Sequence, residues 1–525
     1  MIPDAAPPVA GSPGSADPGA ALSEGETAAH IRGSALFLVG RILDLGLDFT
    51  AHVLIVRYLA KSEYGAFAYA LALVSLGATV AVFGLDKSMS RFLAMYQEQR
   101  RYGPLFGAIV VALATILILG LGTVIAVHTV AAFFPAALTD DPRALFFLGA
   151  LIFLSPIQAL DSMVVRFFPV FASPRSFFVR RYLLGPLVHL AIVVVLIAGS
   201  AESTLFAIGF VGAGLINLAI SAVMLLRILT SEPLSLHFRR SELEWPVREI
   251  LGYSVPLLAS DVVLVLRGAL VVVLLEFFQN TTDVADFRAV LPVARLNMVV
   301  FQTFTFMFMP LAARLFVRED REGLQDAFWR SSAWVTLISL PGFLLSFALA
   351  QPLVDAMFGP SYHDSAPILM VLSLGFFVTA VFGFGGLVLR TIGNVRYMFG
   401  VDALTAVASF VGYVLVIPAF GALGAAVVLS ATLVAQALLY QLGLRLFAGI
   451  QLFDRRYLGF FSSVVLASAA LLVIQLVADP PLAVGLALAT AVSVAVLALN
   501  RHTLDLLRMF PELKRVPLIR RLVGN

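Results

Sequence analysis

Charged side chains lie inside long apolar segments of this sequence, where a lipid environment makes them costly. Arg41, Asp44 and Asp48 follow one another at spacings of three and four residues, so they share one face of a helix. A charge at the centre of a bilayer costs roughly 2.5–3.5 kcal/mol on insertion scales, and such residues normally face a cavity or a partner. We interpret the three as a polar stripe that lines a ligand cavity. The alternative is an internal Arg41–Asp44 pair that only lowers the cost of insertion.

A second stripe consists of Arg288, Arg295 and Gln302, which are spaced seven residues apart and therefore lie on one helix face. Arginine offers a planar fork of donors that pairs with phosphate oxygens and stays charged. Apart from Asp286, no acid on the same helix is near enough to neutralise these cations. We predict that Arg295 contacts an anionic ligand or a partner on another helix. Arg288 either does the same or snorkels to the membrane surface.

Other polar residues in apolar segments are weaker candidates. Arg267 is our second choice for contact with the anion, and Arg166 follows it. A structural link from Asp161 or Arg166 to a neighbouring helix is an equally good interpretation of that pair. His189 is expected to be an ordinary packing residue.

Two acids, Asp261 and Asp402, are interpreted as isolated within the membrane. A buried carboxylate can hold Na⁺ or take a proton. We predict that these two acids form a coupling site for one of these cations. No bound metal or other cofactor is expected.

The composition indicates that lipid is the main solvent of the chain. Of its 525 residues, 60% are hydrophobic and 13% are charged, and the mean hydropathy is +0.97. Soluble domains average roughly 45–50% apolar and about 25% charged residues. A soluble chain of this composition would expose too much apolar surface, so a cytosolic enzyme, a disulfide-stapled secreted domain and a nucleic-acid-binding protein are excluded. The chain contains no cysteine, and therefore no disulfide or cysteine metal site.

The apolar segments are long enough to cross a bilayer core of about 30 Å, which takes about 20 helical residues. No run alternates as membrane β-strands do, and backbone groups in lipid must be satisfied internally. We therefore predict an all-α polytopic membrane protein. Its fourteen helices are predicted at residues 34–56, 65–85, 104–134, 144–169, 179–199, 203–227, 249–278, 284–313, 327–350, 365–389, 396–419, 422–445, 457–478 and 481–500.

Lys and Arg residues mark alternate connections between these helices. With the N-terminus in the cytoplasm, the predicted outer segments carry only Arg57, Lys61 and Arg143, and the remaining Lys and Arg residues outside the helices lie in inner segments. Cytoplasmic loops normally carry this excess of positive charge. We therefore predict a multi-pass protein of a bacterial inner membrane with both termini in the cytoplasm.

The longest inner connection separates two predicted six-helix halves. The predicted organisation is a disordered cytoplasmic tail (1–33), an N-lobe with helices 1–6 (34–230), a cytoplasmic linker (231–248), a C-lobe with helices 7–12 (249–450), two further helices (451–500) and a basic cytoplasmic tail (501–525).

Several motifs resemble those of the polysaccharide-biosynthesis flippases. The first outer loop contains Arg57-Tyr58-Leu59 and Glu63-Tyr64-Gly65 followed by Phe67, which resembles the first-loop signature of that family. Further similar motifs follow in the expected order, namely Gly84-Leu85, Ser88, Arg91-Phe92-Leu93-Ala94, Met309-Pro310, Leu315, Leu340-Pro341, Phe358-Gly359-Pro360-Ser361-Tyr362 and Gly421-Ala422-Leu423-Gly424-Ala425-Ala426. The resemblance covers about residues 34–450.

This resemblance implies the multidrug/oligosaccharidyl-lipid/polysaccharide (MOP) exporter superfamily. The implied fold is MATE-like, with two six-helix lobes in a V around a central cavity and two extra C-terminal helices. The implied function is a flippase that moves undecaprenyl-pyrophosphate-linked oligosaccharide from the inner to the outer leaflet, for O-antigen, capsule or exopolysaccharide biosynthesis. The implied partners are this substrate, membrane lipids and other polysaccharide assembly proteins.

Other interpretations stay open. A cation-coupled antiporter for small organic cations would share the fold but would need acids and aromatic residues in its cavity. A peptidoglycan-precursor flippase is closely related to the first interpretation, and a non-transporting scaffold would leave the intramembrane arginines unexplained. A membrane polymerase or ligase would need a long outer loop, which the sequence lacks. Because no P-loop, zincin or nucleophile-elbow motif is present either, we predict that the protein is not an enzyme.

Overall fold

The structure, a computed structural model, describes residues 24–171, 177–231 and 243–504. Helices dominate this part of the chain, which contains no β-strand, and the predicted all-α fold is confirmed. The α-helices are α1 (Glu24–Tyr58), α2 (Lys61–Val82), α3 (Leu85–Glu98), α4 (Tyr102–Phe133), α5 (Pro142–Leu151), α6 (Leu154–Phe171), α7 (Gly185–Ala198), α8 (Ser203–Ser231), α9 (Val247–Phe278), α10 (Thr281–Arg295), α11 (Val299–Val317), α12 (Arg321–Phe347), α13 (Ala350–Phe358), α14 (Ala366–Phe382), α15 (Phe384–Thr391), α16 (Val395–Phe447), α17 (Leu458–Ala478), α18 (Leu482–Leu499) and α19 (Arg501–Leu504).

The helices follow the apolar segments because a helix satisfies its backbone hydrogen bonds without neighbours or water. Each of the fourteen predicted segments falls largely in helical chain. In the described part of the chain, ten helices are long and apolar enough to cross a membrane, or eleven if the bent pair α12 and α13 forms one span. The number of fourteen spans therefore stays a prediction, as do the lobe boundaries. The predicted tails 1–33 and 501–525 lie mostly outside the described residues.

The predicted stripe of Arg288, Arg295 and Gln302 is interrupted. Arg295 ends α10, a 3₁₀ turn follows at Leu296–Met298, and Gln302 belongs to α11. The break lies just beyond Pro292, whose ring removes a backbone donor and crowds the carbonyl of Arg288. The two arginines therefore share one helix, and the glutamine lies on the next.

α16 contains two of the predicted spans. At about 1.5 Å per residue its 53 residues would extend about 80 Å, more than twice the thickness of a bilayer core. Gly421 breaks it with φ +52° and ψ −136°, a conformation that L residues with a Cβ rarely adopt. The Asp283 carboxylate accepts a hydrogen bond from the backbone N–H of Ala422 at 2.9 Å. The break is thus fixed against the start of α10.

The two predicted lobes are joined through α2, which packs against α5 of the N-lobe and against α9 and α10 of the C-lobe. A Cβ placed on Gly65 would lie 1.7 Å from the carbonyl oxygen of Thr281, so the two backbones are in direct contact. A single apolar core continues from α2 into α10, with Phe67 and Phe287 both buried.

Polar contacts accompany this packing at the predicted outer end. Each joins a residue of the N-lobe to one of the C-lobe: Lys61 Nζ to Asp286 Oδ1 at 2.8 Å, Thr281 Oγ1 to Asp141 Oδ2 at 2.9 Å, Thr139 Oγ1 to Glu276 Oε1 at 2.7 Å, and Arg57 to the carbonyl of Ala356 at 2.7 Å. We call these four contacts the outer clasp. They hold the lobes together on that side of the bundle.

The amphipathic helix α3 attaches α9 to the N-lobe toward the predicted inner end. Ser88 and Ser254 share a buried hydrogen bond of 2.8 Å. Tyr96 donates to Glu249 at 3.2 Å, and the guanidinium of Arg91 lies 4.9 Å from the centre of the Tyr253 ring. The lobe boundary in the sequence therefore does not prevent α9 from packing on both halves.

We expect Gly65→Ala to destabilise the contact between α2 and α10, because the new methyl group would overlap the Thr281 carbonyl. Overpacking of this kind costs about 1–3 kcal/mol. The measurement is the melting temperature of the purified protein in detergent. Gly46→Ala is the matched control, since nothing lies within 4 Å of a Cβ there. Equal melting temperatures for the two variants would contradict the described contact.

Candidate functional site in a charged N-lobe cavity

A cavity of about 820 Å³ lies within the N-lobe, between α1, α2, α6, α7 and α8. Its volume is within the roughly 300–1,000 Å³ of small-molecule sites. Four predicted site residues line it, namely Asp44, Asp48, Arg166 and Arg288. The other charged side chains in its wall are Asp161, Arg180 and Arg181. Four arginines therefore face three aspartates, so the site favours an anion.

Arg180 is the most deeply buried of these arginines, with 3% of its surface exposed. Its Nη2 lies 2.6 Å from Asp161 Oδ1 and donates to the carbonyl of Asn217 at 3.0 Å. Ser221 accepts from its Nε and donates to the same Asp161 oxygen. Both charges are thus satisfied inside the lobe. Asp161 pairs with Arg180 on another helical segment, as the structural interpretation of Asp161 predicts.

Arg180 and Arg181 were not predicted as site residues, because adjacent arginines before an apolar segment look like an inner loop. In the structure they belong to a π-helix, Val179–Leu184, that runs directly into α7. Pro186 in the first turn of α7 disfavours regular helical bonding to the preceding turn, and π-turns accommodate such irregularities. The sequence signal is the pair of arginines followed, after three residues, by Gly185-Pro186.

Asp44 lies 3.5 Å from Nη1 of Arg181, and Asp48 is close enough to interact with the same guanidinium. Arg41 instead donates to the side-chain oxygen of Gln302 on α11. No direct ion pair joins Arg41 to Asp44 in the described structure, but the charge of Asp44 interacts with Arg41 as well as with Arg181, so the internal pair stays an alternative. The polar face of α1 thus meets two different partners. Arg41 contacts the C-lobe, and Asp44, about one turn later, contacts the π-helix.

Arg288 and Arg295 have no acidic partner among the described residues. The Nε of Arg288 is buried without a hydrogen-bond partner, and its side chain lines the cavity, so it does not snorkel to the membrane surface. Arg295 makes no hydrogen bond or ion pair to a described side chain, and it is close enough to Arg288 for the two cations to repel each other. Within the described part of the chain, Arg288 thus lines the cavity as a cation without an acidic partner, and Arg295, which does not line the cavity, is a second such cation close to it on the same helix.

Two predicted residues, Arg166 and Arg267, remain. Arg166 lines the cavity and lies 3.5 Å from Asp86 on α3. Arg267 belongs to α9, but its side chain lies outside the described residues. Its predicted contact with an anion therefore stays a prediction.

Asp261 and Asp402 are not the isolated acids that we expected. Lys87 on α3 forms an ion pair with Asp261. Asp402 accepts hydrogen bonds from Gln436 and, at 2.6 Å, from the hydroxyl of Tyr440. Helix packing supplied these partners from residues far away in the sequence. No group of three or more acids or histidines with metal-binding spacing occurs in the described chain.

Comparison with known families and proteins identifies relatives across most of the chain. The family model described as "Polysaccharide biosynthesis protein" matches residues 31–315, which is more than half of the chain. An uncharacterized membrane protein of Methanocaldococcus jannaschii is 22% identical over 414 residues, which cover 76% of this chain and 80% of that protein.

Solved structures of MOP transporters share the fold. The lipid II flippase MurJ in an inward closed conformation has a TM-score of 0.65 at 13% identity, covering 90% of this chain and 100% of that one. An inward-facing MATE family transporter of the MOP superfamily has a TM-score of 0.63 at 14% identity, covering 78% and 94%. A MOP superfamily transporter from Pyrococcus furiosus has a TM-score of 0.54 at 14% identity, covering 80% and 95%. These likenesses confirm the predicted MATE-like fold.

We expect Arg180→Met to destabilise the N-lobe, because it leaves Asp161 without its cation. Breaking a buried pair from one side costs about 3–5 kcal/mol, and we expect the lower end because the Asp161 side chain is 25% exposed. The double variant Arg180→Met/Asp161→Leu should recover part of the loss, since no charge is left unpaired. Melting temperatures in detergent test this. A double variant less stable than Arg180→Met alone would contradict the pairing.

Proposed function

Because the chain belongs to the polysaccharide biosynthesis protein family, we propose that it is a lipid-linked oligosaccharide flippase. The proposed substrate is an oligosaccharide on undecaprenyl diphosphate, and the proposed direction is from the inner to the outer leaflet of a bacterial cytoplasmic membrane. The shared MOP fold supports transport. The charges around the cavity support an anionic head group.

The observation that carries the proposal is the unneutralised pair Arg288 and Arg295. In the described structure, the three arginines that line the cavity together with Arg288, namely Arg166, Arg180 and Arg181, each have an aspartate within 3.5 Å. A diphosphate supplies the oxygen acceptors that these two guanidinium groups lack, and each fork can bind phosphate bidentately. Charged hydrogen bonds of this kind contribute about 1.5–3 kcal/mol each. Together they would replace much of the hydration that the head group loses.

Release of the substrate requires that binding stays moderate. Asp44 and Asp48 lie beside Arg181 and weaken the attraction of that side of the cavity for an anion. We propose that the head group first binds Arg288 and Arg295. Arg166, Arg41 and Gln302 would then bind it more weakly along the transport path. The undecaprenyl chain stays in lipid throughout, because its transfer into a polar cavity would be unfavourable.

Alternating access would require the outer clasp to open. The Lys61–Asp286 ion pair and the three hydrogen bonds beside it join the lobes at the predicted outer end. Rocking of one lobe against the other is the common mechanism for transporters built from repeated bundles. The clasp is polar and its groups can be solvated when separated, whereas an apolar seal of the same area would be harder to open to water.

We expect Arg288→Gln and Arg295→Gln each to weaken binding of lipid-linked oligosaccharide, because each removes a charged partner of the diphosphate. A loss of 1.5–3 kcal/mol corresponds to roughly 10- to 150-fold in affinity. Cells depleted of the protein should accumulate the lipid-linked oligosaccharide on the inner leaflet, and only the wild type should restore translocation fully. Arg318→Gln is the matched control, since Arg318 is exposed beyond the end of α11.

Normal translocation in depleted cells that have no second flippase would refute the proposed function. Restoration by Arg288→Gln and Arg295→Gln as complete as by the wild type would refute the proposed site. If the purified protein instead exchanged small organic cations, the antiporter interpretation would replace the flippase.

Coupling to Na⁺ or H⁺ is part of the proposal. Asp402 is the better of the two predicted acids, because its partners Gln436 and Tyr440 are neutral, whereas Asp261 already has Lys87 as its counter-ion. We expect Asp402→Asn to reduce the dependence of transport on a cation gradient more than Asp261→Asn does. Transport in proteoliposomes with imposed Na⁺ or proton gradients measures this. If both variants keep the transport rate and ion dependence of the wild type, the coupling site is wrong.

A further inference from the structure

Part of the lining of the N-lobe cavity consists of neutral polar and aromatic side chains. We call it the neutral wall and define it by six cavity-lining residues: Gln158, Ser162, Tyr182, His189, Phe210 and Asn217. These side chains offer an amide, an imidazole, hydroxyls and ring faces. None of them carries a fixed charge. Arg288, which we assign to the diphosphate, lines the same cavity.

Two polar atoms of the neutral wall are buried without a partner. Nε2 of His189 and Oδ1 of Asn217 form no hydrogen bond to any described residue. An unsatisfied buried donor or acceptor costs about 1–3 kcal/mol, and such atoms in native proteins usually meet a ligand or an ordered water. His189 is a packing residue, as expected, but its Nε2 is left without a partner among the described residues. Both atoms belong to side chains that line one cavity.

The neutral wall is held in place by contacts behind it. The His189 ring packs edge-on against Phe210, with 4.9 Å between ring centres and an interplanar angle of 83°. The backbone carbonyl of Asn217 accepts a hydrogen bond from Arg180 at 3.0 Å. Arg180 and Asp161, which line the same cavity, already bind each other. The wall therefore presents fixed neutral groups, with little unpaired charge behind them.

Sugars match this chemistry better than other ligands do. A pyranose hydroxyl both donates and accepts, so it can satisfy the amide oxygen of Asn217 and either protonation form of the His189 imidazole. The apolar C–H face of the ring suits the aromatic side chains of Tyr182 and Phe210. The described residues contain no group of three or more acids or histidines that could hold a metal ion, and a phosphate would be drawn to Arg288 instead.

We propose that the neutral wall binds the sugar residues next to the diphosphate of the transported lipid. This inference rests on the proposed function and adds a second subsite to it. Arg288 and Arg295 would recognise the diphosphate that every such substrate carries. Asn217 and His189 would recognise the attached saccharide, so a carrier lipid without sugar would bind less tightly and would seldom be transported.

The test compares two probes on the purified full-length protein in nanodiscs. One probe is undecaprenyl diphosphate, and the other is the lipid-linked oligosaccharide that accumulates in cells depleted of the protein. We expect the wild type to bind the second probe roughly 10- to 30-fold more tightly, since two net hydrogen bonds contribute about 1 kcal/mol each. Asn217→Leu and His189→Leu should remove most of this difference and leave the affinity for undecaprenyl diphosphate unchanged.

Two further variants separate a sugar subsite from general damage. Asn297→Leu is the matched control, because Asn297 is also a buried asparagine with an unpaired Oδ1 but does not line the cavity. It should keep the difference between the probes. Arg288→Gln should weaken binding of both probes by the same factor. Unchanged affinity for undecaprenyl diphosphate shows that the Asn217 and His189 variants are folded.

Equal affinity of the wild type for both probes would overturn the inference, and so would a full difference retained in Asn217→Leu and His189→Leu. In both cases the diphosphate site and the proposed function would stand. If no oligosaccharide accumulates on depletion, or the wild type binds neither probe, the proposed function itself fails.

Discussion

The cost of a charge in lipid explains the arrangement of most polar side chains in this protein. Roughly 2.5–3.5 kcal/mol per charge at the bilayer centre is enough that an arginine or aspartate is retained there only with a partner, water or a function. Accordingly, Arg180 pairs with Asp161, Arg181 with Asp44, Arg166 with Asp86 and Lys87 with Asp261. Against this background Arg288 and Arg295 are exceptional, because the described structure gives neither of them a counter-ion. That exception is the physical basis for assigning them to an anionic substrate.

The same constraint divides the cavity into two chemically different parts. The pairing of Arg180 in the π-helix with Asp161 on α6 neutralises two of the charges that line the cavity, and neutral groups such as His189 on α7 and Asn217 on α8 also line it. The charge that is not neutralised comes from α10, on the side of the C-lobe. A head group with a diphosphate next to a saccharide has the same division between charge and neutral hydroxyls. The two halves of the molecule thus contribute different interactions to one site.

Contact between the lobes is close but polar at the predicted outer end. Gly65 lets the backbone of α2 touch that of Thr281, and the outer clasp surrounds this point. A clasp of one ion pair and three hydrogen bonds is suited to opening, because each group can exchange its protein partner for water at modest cost. The apolar core that runs from α2 into α10 instead keeps the lobes associated. Close packing of α2 against α10, together with polar contacts that can exchange their protein partners for water, is compatible with a rocking motion of the lobes.

The sequence by itself determined the solvent, the helices and the outline of the site. Hydropathy and segment length are local properties, and helices in lipid satisfy their own backbone, so the segments and the break at Gly421 could be predicted without a structure. Arg288 and Arg295 are seven residues apart, so their place on one face of a single helix could likewise be predicted. The partners of the charges were not predictable in this way. Asp44 pairs with Arg181, Asp261 pairs with Lys87, and the π-helix places Arg180, which looks like a loop arginine in the sequence, in a buried position against Asp161. The ion pairs among them join residues up to 174 positions apart, and the hydrogen bond of Arg41 to Gln302 joins residues 261 positions apart. They depend on how helices pack, and only the tertiary structure decides that.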